Sequence, residues 1–322
     1  MVIRFFRSSY HTRLFVLILI VLLFWLPEMF VPAGNKVVWK VVCLPNLLWL
    51  QQIVAMILFF FTALFINHVG SKHLLSGRNS YFAAFFFILA GSALGFLTQM
   101  SPYIFGVFFF ALFYQKIFDL QNSTKIVTTA FDAGLSLGIV SLFYPPALFL
   151  LLFIWLALLT YQADEWRAYF TGIVGMLVPW FFILSGFFWF DKLPEVLQYF
   201  LQAFHFREIW LPFTRNLDVI LFTLTALTTL TAVFSLLGKL SSFNIGLRQH
   251  SVVSLWGLVS CSLIVFLFAA PVQVLLLLSL PASLILGAFF SRIKRLRWAN
   301  IFVLLWVLLI FLNHYLPLFH AA

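Results

Sequence analysis

Long apolar runs, separated by short polar turns, dominate this chain. A helix crossing a bilayer core needs about 20 apolar residues, and sometimes about 17. Runs that read as spans lie at residues 14–30, 47–67, 81–97, 103–114, 126–143, 147–161, 168–190, 219–237, 252–270, 272–290 and 298–315. The run at 103–114 is short, and Pro145-Pro146 divides the long stretch before Tyr161, because neither proline can donate a helical hydrogen bond. The total is about 11 spans. The runs do not alternate polar and apolar residues, which excludes a transmembrane β-barrel. Only 9% of the residues are charged and 64% are hydrophobic. An ordinary soluble domain carries about 25% charge, so a soluble enzyme, a nucleic-acid binder and a disordered chain are excluded. The expected fold class is all-α: a polytopic transmembrane helical bundle, one integral membrane domain over residues 1–322 with an outer amphipathic segment at 191–218.

The net charge of +10 reads as an orientation signal. Basic residues collect on the cytoplasmic side of membrane proteins. With the N-terminus inside, only Lys36, Lys40, Lys192, Arg207 and Arg215 of the 19 basic residues fall outside. The run SRIKRLRW at residues 291–298 is the strongest inner anchor. The expected topology is therefore N-terminus in, C-terminus out. The opening MVIRFFRSSYHTR has the charge of a signal peptide, but no small-residue cleavage site follows, so the first span reads as a retained anchor. Cys43 and Cys261 are far apart and form no CxxC pair; both read as packing residues.

Nine acids are the scarce resource, since a carboxylate in hydrocarbon costs about 2.5–3.5 kcal/mol on insertion scales. Glu28, in WLPEMFVP, closes the first span at the outer surface, with Pro27 ending or kinking the helix before it. A carboxylate there either ends the span or acts as a general base on an acceptor hydroxyl. Asp132 lies inside the fifth span, about two turns from Lys125, and reads as a structural intramembrane acid that pairs with that lysine or caps a helix. Gly134 and Gly138 form a GxxxG face suited to close helix approach. In the outer segment, Leu197, Phe200, Leu201 and Phe204 recur at helical spacing, the pattern of an interfacial helix. His205, Arg207 and Arg215 follow. Arginine binds phosphate with two donors and stays charged, so this set suits a lipid-linked phosphate as well as ordinary interfacial anchoring. No Walker A, GxSxG or HExxH motif and no paired His ligands occur, so no metal site is indicated, and the sequence leaves any cofactor unknown.

The block FDAGLSLGIVSLFYPPALFLLLFIWLALLTYQADEWRAYFTGIVGMLVPWFF at residues 131–182, RNSYFA at 78–83 and the WRAY turn resemble a family of Bacteroidota polytopic inner-membrane proteins with a domain of unknown function. The likeness covers most of the chain. Some members carry carotene-oxygenase names, which find no support in a sequence without the histidine cluster that would hold iron. More distantly, the layout resembles the membrane-embedded GT-C glycosyltransferases, which use polyprenyl-phosphate sugars. In those enzymes a catalytic acid, usually Asp, stands just after the first helix, and Glu28 is the matching position. The resemblance implies a donor-phosphate loop at 191–218, with Arg207 and Arg215 on the phosphate and His205 nearby.

The expected function is transfer of a sugar from a polyprenyl-phosphate donor to an acceptor on the outer face of the bacterial inner (cytoplasmic) membrane. Its partners would be membrane lipids and the lipid-linked donor, with no nucleic acid. The alternatives are a transporter or lipid flippase coupled through Asp132, and a non-catalytic membrane subunit of an envelope complex.

Overall fold

A computed structural model describes residues 2–6, 11–30, 48–73, 75, 80–122, 125–163, 165–204, 215–268, 272–293 and 296–321. Among them the helices are α1 (Val2–Phe6), α2 (His11–Trp25), α3 (Pro27–Phe30), α4 (Leu48–Lys72), α5 (Phe82–Gly91), α6 (Pro102–Asp119), α7 (Ile126–Phe143), α8 (Leu151–Thr160), α9 (Trp166–Trp189), α10 (Leu193–Ala203), α11 (Asn216–Leu237), α12 (Ile245–Leu267), α13 (Leu276–Ser291) and α14 (Leu296–Ala321). No β-strand occurs among the described residues. The all-α membrane class follows directly: among the described residues seven helices are long and apolar enough to cross a bilayer, and three shorter apolar helices accompany them.

Proline sets two boundaries where the sequence places them. α2 stops at Trp25, and α3 restarts at Pro27, where the first helical position tolerates the missing N–H. α7 stops at Phe143; Tyr144 is extended, and Pro145–Leu150 form a 3₁₀ segment leading into α8. The third expected span, 81–97, is different. Its helix α5 has only 10 residues, about 15 Å of rise, half of a bilayer core. The chain then leaves the helix at Ser92 and runs irregularly, through a 3₁₀ turn at Gly95–Thr98, to Pro102. Glycines at 91 and 95 and the serine at 92 weaken the helix here.

The chain forms two compact units. The first holds residues 1–104, 212–243 and 279–322; the second holds 105–211 and 244–278. In the first unit α4 packs on α5, and α14 packs against α1, α2, α3 and α11. α5 is enclosed by protein: Phe82 through Leu89 are all buried, which fits its apolar circumference. Phe85 stacks on Phe6, Phe87 on Phe59, and Phe86 on Phe290. In the second unit α7 lies against α9 at backbone distance. A Cβ on Gly134 would strike the carbonyl of Gly172, and one on Gly175 would strike that of Phe131. The small-residue face expected at Gly134 and Gly138 is thus the α7–α9 seam.

The interfacial helix α10 divides its apolar residues. Val196 is buried, Phe200 packs on Trp180, and Phe204 packs on Phe149 and Phe268. Leu197 and Leu201, expected on the same stripe, are exposed. Two adjacent apolar rows exist on this helix; one meets protein and the other is left open, as suits a helix lying along lipid.

Candidate functional site: a polar cluster at the α5–α6 break

Irregular backbone at membrane depth leaves carbonyls without helical partners. It is tolerated only where protein or a cavity satisfies them. Between α5 and α6, side chains from neighbouring helices do so. His314 Nε2, on α14, donates to the Ser92 carbonyl at 2.9 Å. Asn313 Nδ2 reaches the Ala93 carbonyl at 3.5 Å, and Gln52 Nε2, on α4, donates to the Thr98 carbonyl at 2.6 Å. Thr98 Oγ1 caps the Gly95 carbonyl at 2.8 Å. Trp25 Nε1, the last residue of α2, donates to Ser92 Oγ at 3.2 Å.

The same asparagine gathers the start of α11. Its amide donates to Asp218 Oδ1 at 2.8 Å, and its main-chain carbonyl accepts from Arg215 Nη1 at 3.3 Å. Asp218 is buried in the first turn of α11, where the positive end of the helix dipole favours a carboxylate.

Two acceptors in this cluster are left over. His314 gives its Nε2 hydrogen to Ser92, so Nδ1 carries the lone pair. Neither that Nδ1 nor Asn313 Oδ1 finds a hydrogen-bond partner among the described residues, and both are buried. A buried acceptor without a donor costs about 1–3 kcal/mol. Two of them side by side in sequence form an arrangement short of donors.

Glu28 joins the other side of the break. It is buried at the start of α3. Gln99 Nε2 donates to its Oε2 at 3.4 Å, and its Oε1 would stand 3.6 Å from a Cβ built on Gly95. The segment from Ser92 to Gln99 therefore touches both Glu28 and the Asn313–Asp218–Arg215 group.

Of the residues singled out in the sequence, the structure places Glu28 and Arg215 in the first unit, on this one segment's surroundings. His205 and Arg207 lie outside the described residues. Asp132 is in the second unit and pairs with Lys116 of α6 at 2.7 Å, both side chains partly exposed; the partner is not the Lys125 suggested by spacing. Such a pair contributes about 0–1 kcal/mol. Cys261 is buried and free, and Cys43 lies outside the described residues. Among the described residues no group of three metal-ligating side chains occurs.

The profile of DUF6427, a family of unknown function, matches residues 37–319. The chain belongs to DUF6427. No curated protein and no solved structure matches it. The DUF6427 stretch contains Gln52, the α5–α6 break, Arg215, Asp218, Asn313 and His314, while Glu28 precedes it.

Sequence reasoning that weighed acids first passed over Asn313 and His314. The signal was present: LNHY interrupts an otherwise apolar run near the end of α14, and polar residues inside a span mark functional or structural networks.

Proposed function

We propose that this chain is a GT-C-like membrane transferase that moves a sugar from a polyprenyl-phosphate donor to an acceptor at the outer face of the bacterial inner membrane. The observation that supports this reading is that Glu28, bonded to Gln99, and Arg215, bonded to Asn313, flank one irregular polar segment between α5 and α6. Broken helices at membrane depth are a recurring way to build substrate sites in hydrocarbon. Glu28 would take the proton from the acceptor hydroxyl as its oxygen attacks the anomeric carbon. The bond from that carbon to the phosphate oxygen breaks, and polyprenyl phosphate leaves as an anion held by Arg215. The two free acceptors at Asn313 and His314 suit the hydroxyl donors of a sugar.

The topology in this reading keeps about 11 spans, with the N-terminus in and the C-terminus out. Its support is the pattern of contacts between helix ends. In the first unit, the end of α2, the start of α11 and the end of α14 share the polar cluster. In the second unit, Gln121 after α6, Gln249 near the start of α12 and Thr160 at the end of α8 share another. Each contact joins ends that alternate crossing assigns to one side. The alternative transporter reading rests on Asp132, whose partly exposed pair with Lys116 already accounts for that acid.

Reconstituted vesicles supplied with a polyprenyl-phosphate sugar and acceptor test the proposal. Glu28→Gln should abolish transfer and Glu28→Asp should retain part of it, with both variants as stable as the parent. Full transfer by Glu28→Gln ends the assignment.

A further inference from the structure

A groove of about 960 Å³ opens in the first unit along α11, the end of α13 and the start of α14. Its walls include Leu224, Leu227, Phe289 and Phe302. Thr228 and Thr231 also line it, but their hydroxyls bond to carbonyls of their own helix, at 2.9 Å to Leu224 and 2.9 Å to Thr228, which turns their polar atoms inward. The surface offered is therefore almost wholly hydrocarbon.

One end is different. Lys239 and Arg292 both line the groove there. Arg292 is pinned: Nη1 donates to the Ala288 carbonyl at 2.9 Å, and the guanidinium lies 4.7 Å over the ring of Phe243. Burial lowers its affinity for its proton, yet among the described residues no acidic side chain lines the groove. Lys239 is exposed, and its ammonium takes no hydrogen-bond or ion-pair partner among the described residues. Two cations thus stand at the mouth of an apolar channel, with no carboxylate beside them among the described residues that line it.

The dimensions match a lipid in one leaflet. Leu227 lies about 15 Å of helix rise from the C-terminus of α11, and half of a bilayer core is about 15 Å deep. Lys239 and Arg292 follow directly on the spans that end at Leu237 and Ser291, so they stand at headgroup level. Exposed Trp298, also in the lining, is at the same level at the start of α14, where tryptophan favours the interface.

We propose that this groove binds an anionic glycerophospholipid, with an acyl chain along Leu224 and Leu227 and the phosphate between Lys239 and Arg292. The site is separate from the polar cluster at Glu28 and stands whether or not the transferase reading holds.

Native mass spectrometry of the full chain, released from nanodiscs of equal phosphatidylglycerol and phosphatidylcholine, tests it. The wild type should retain one phosphatidylglycerol in preference to phosphatidylcholine by roughly tenfold or more, the scale expected for two cations near a headgroup. Lys239→Gln with Arg292→Gln should erase the preference, and Leu227→Trp should reduce retention of both lipids by filling the channel. Inorganic phosphate at millimolar concentration should not displace the lipid. Equal retention of both lipids by the wild type overturns the proposal, as does an unchanged preference in the folded double variant or displacement by phosphate. Should the double variant fail to fold, the wild-type preference and Lys239→Gln alone decide.

Discussion

Asn313 donates its side-chain amide to Asp218 at 2.8 Å and turns the same group toward the Ala93 carbonyl at 3.5 Å. One residue of α14 thereby ties the start of α11 to the broken segment after α5. Replacing it with leucine leaves the buried Asp218 carboxylate without its donor. Asn313→Leu should destabilise the chain by about 1–3 kcal/mol, read as a lower melting temperature in detergent. Asp218→Asn should cost less in the Asn313→Leu background than in the wild type. Additive losses would show that the two side chains are not coupled.

His314 should show a dependence on its donor, not on its size. His314→Phe removes the hydrogen bond to Ser92 and buries an unsatisfied carbonyl, whereas His314→Gln can still donate. The first should lower stability by about 1–3 kcal/mol, and the second should recover part of that loss in the same melting assay.

The α7–α9 seam has no room for side chains. Gly134→Ala places a methyl group against the Gly172 carbonyl, a backbone atom that cannot rotate away. The helices must separate, at a cost of about 1–3 kcal/mol, and Gly134→Val should cost more. An alanine variant as stable as the parent would mean that the seam is looser than described. Gly186 is the control, since a Cβ there meets nothing within 4 Å.

Orientation is open to chemical labelling. With Cys43 replaced by serine, a cysteine at Lys192 should react with an impermeant maleimide in intact cells. A cysteine at Ser242 should react only after permeabilisation. The reverse pattern would place the N-terminus outside.

Much of the architecture was legible because membrane helices obey strong local rules. The α7 boundaries at Ile126 and Phe143, the Pro145-Pro146 break and the restart at Pro27 follow from run length and proline chemistry. The short α5 was not legible. Residues 81–97 are apolar enough for a span, and only the partners supplied by Trp25, Gln52, Asn313 and His314 let the backbone leave the helix at Ser92. Those partners are distant in sequence, so no local pattern announces them. The split stripe of α10 has a similar origin: periodicity marks which residues are apolar, but packing on Trp180 decides which row is covered. At the site, Glu28 and Arg215 stood out as charges, while Asn313 gained its importance only from what it joins.

Photo-crosslinking with a diazirine-bearing polyprenyl phosphate, mapped by peptide mass spectrometry on the full chain in vesicles, tests the central claim most directly. Label should fall on peptides containing Glu28, Gln99 or Arg215 and should be displaced by excess unmodified polyprenyl phosphate. Label confined to other peptides, or label that the competitor leaves unchanged, would contradict a lipid-phosphate site at the α5–α6 break.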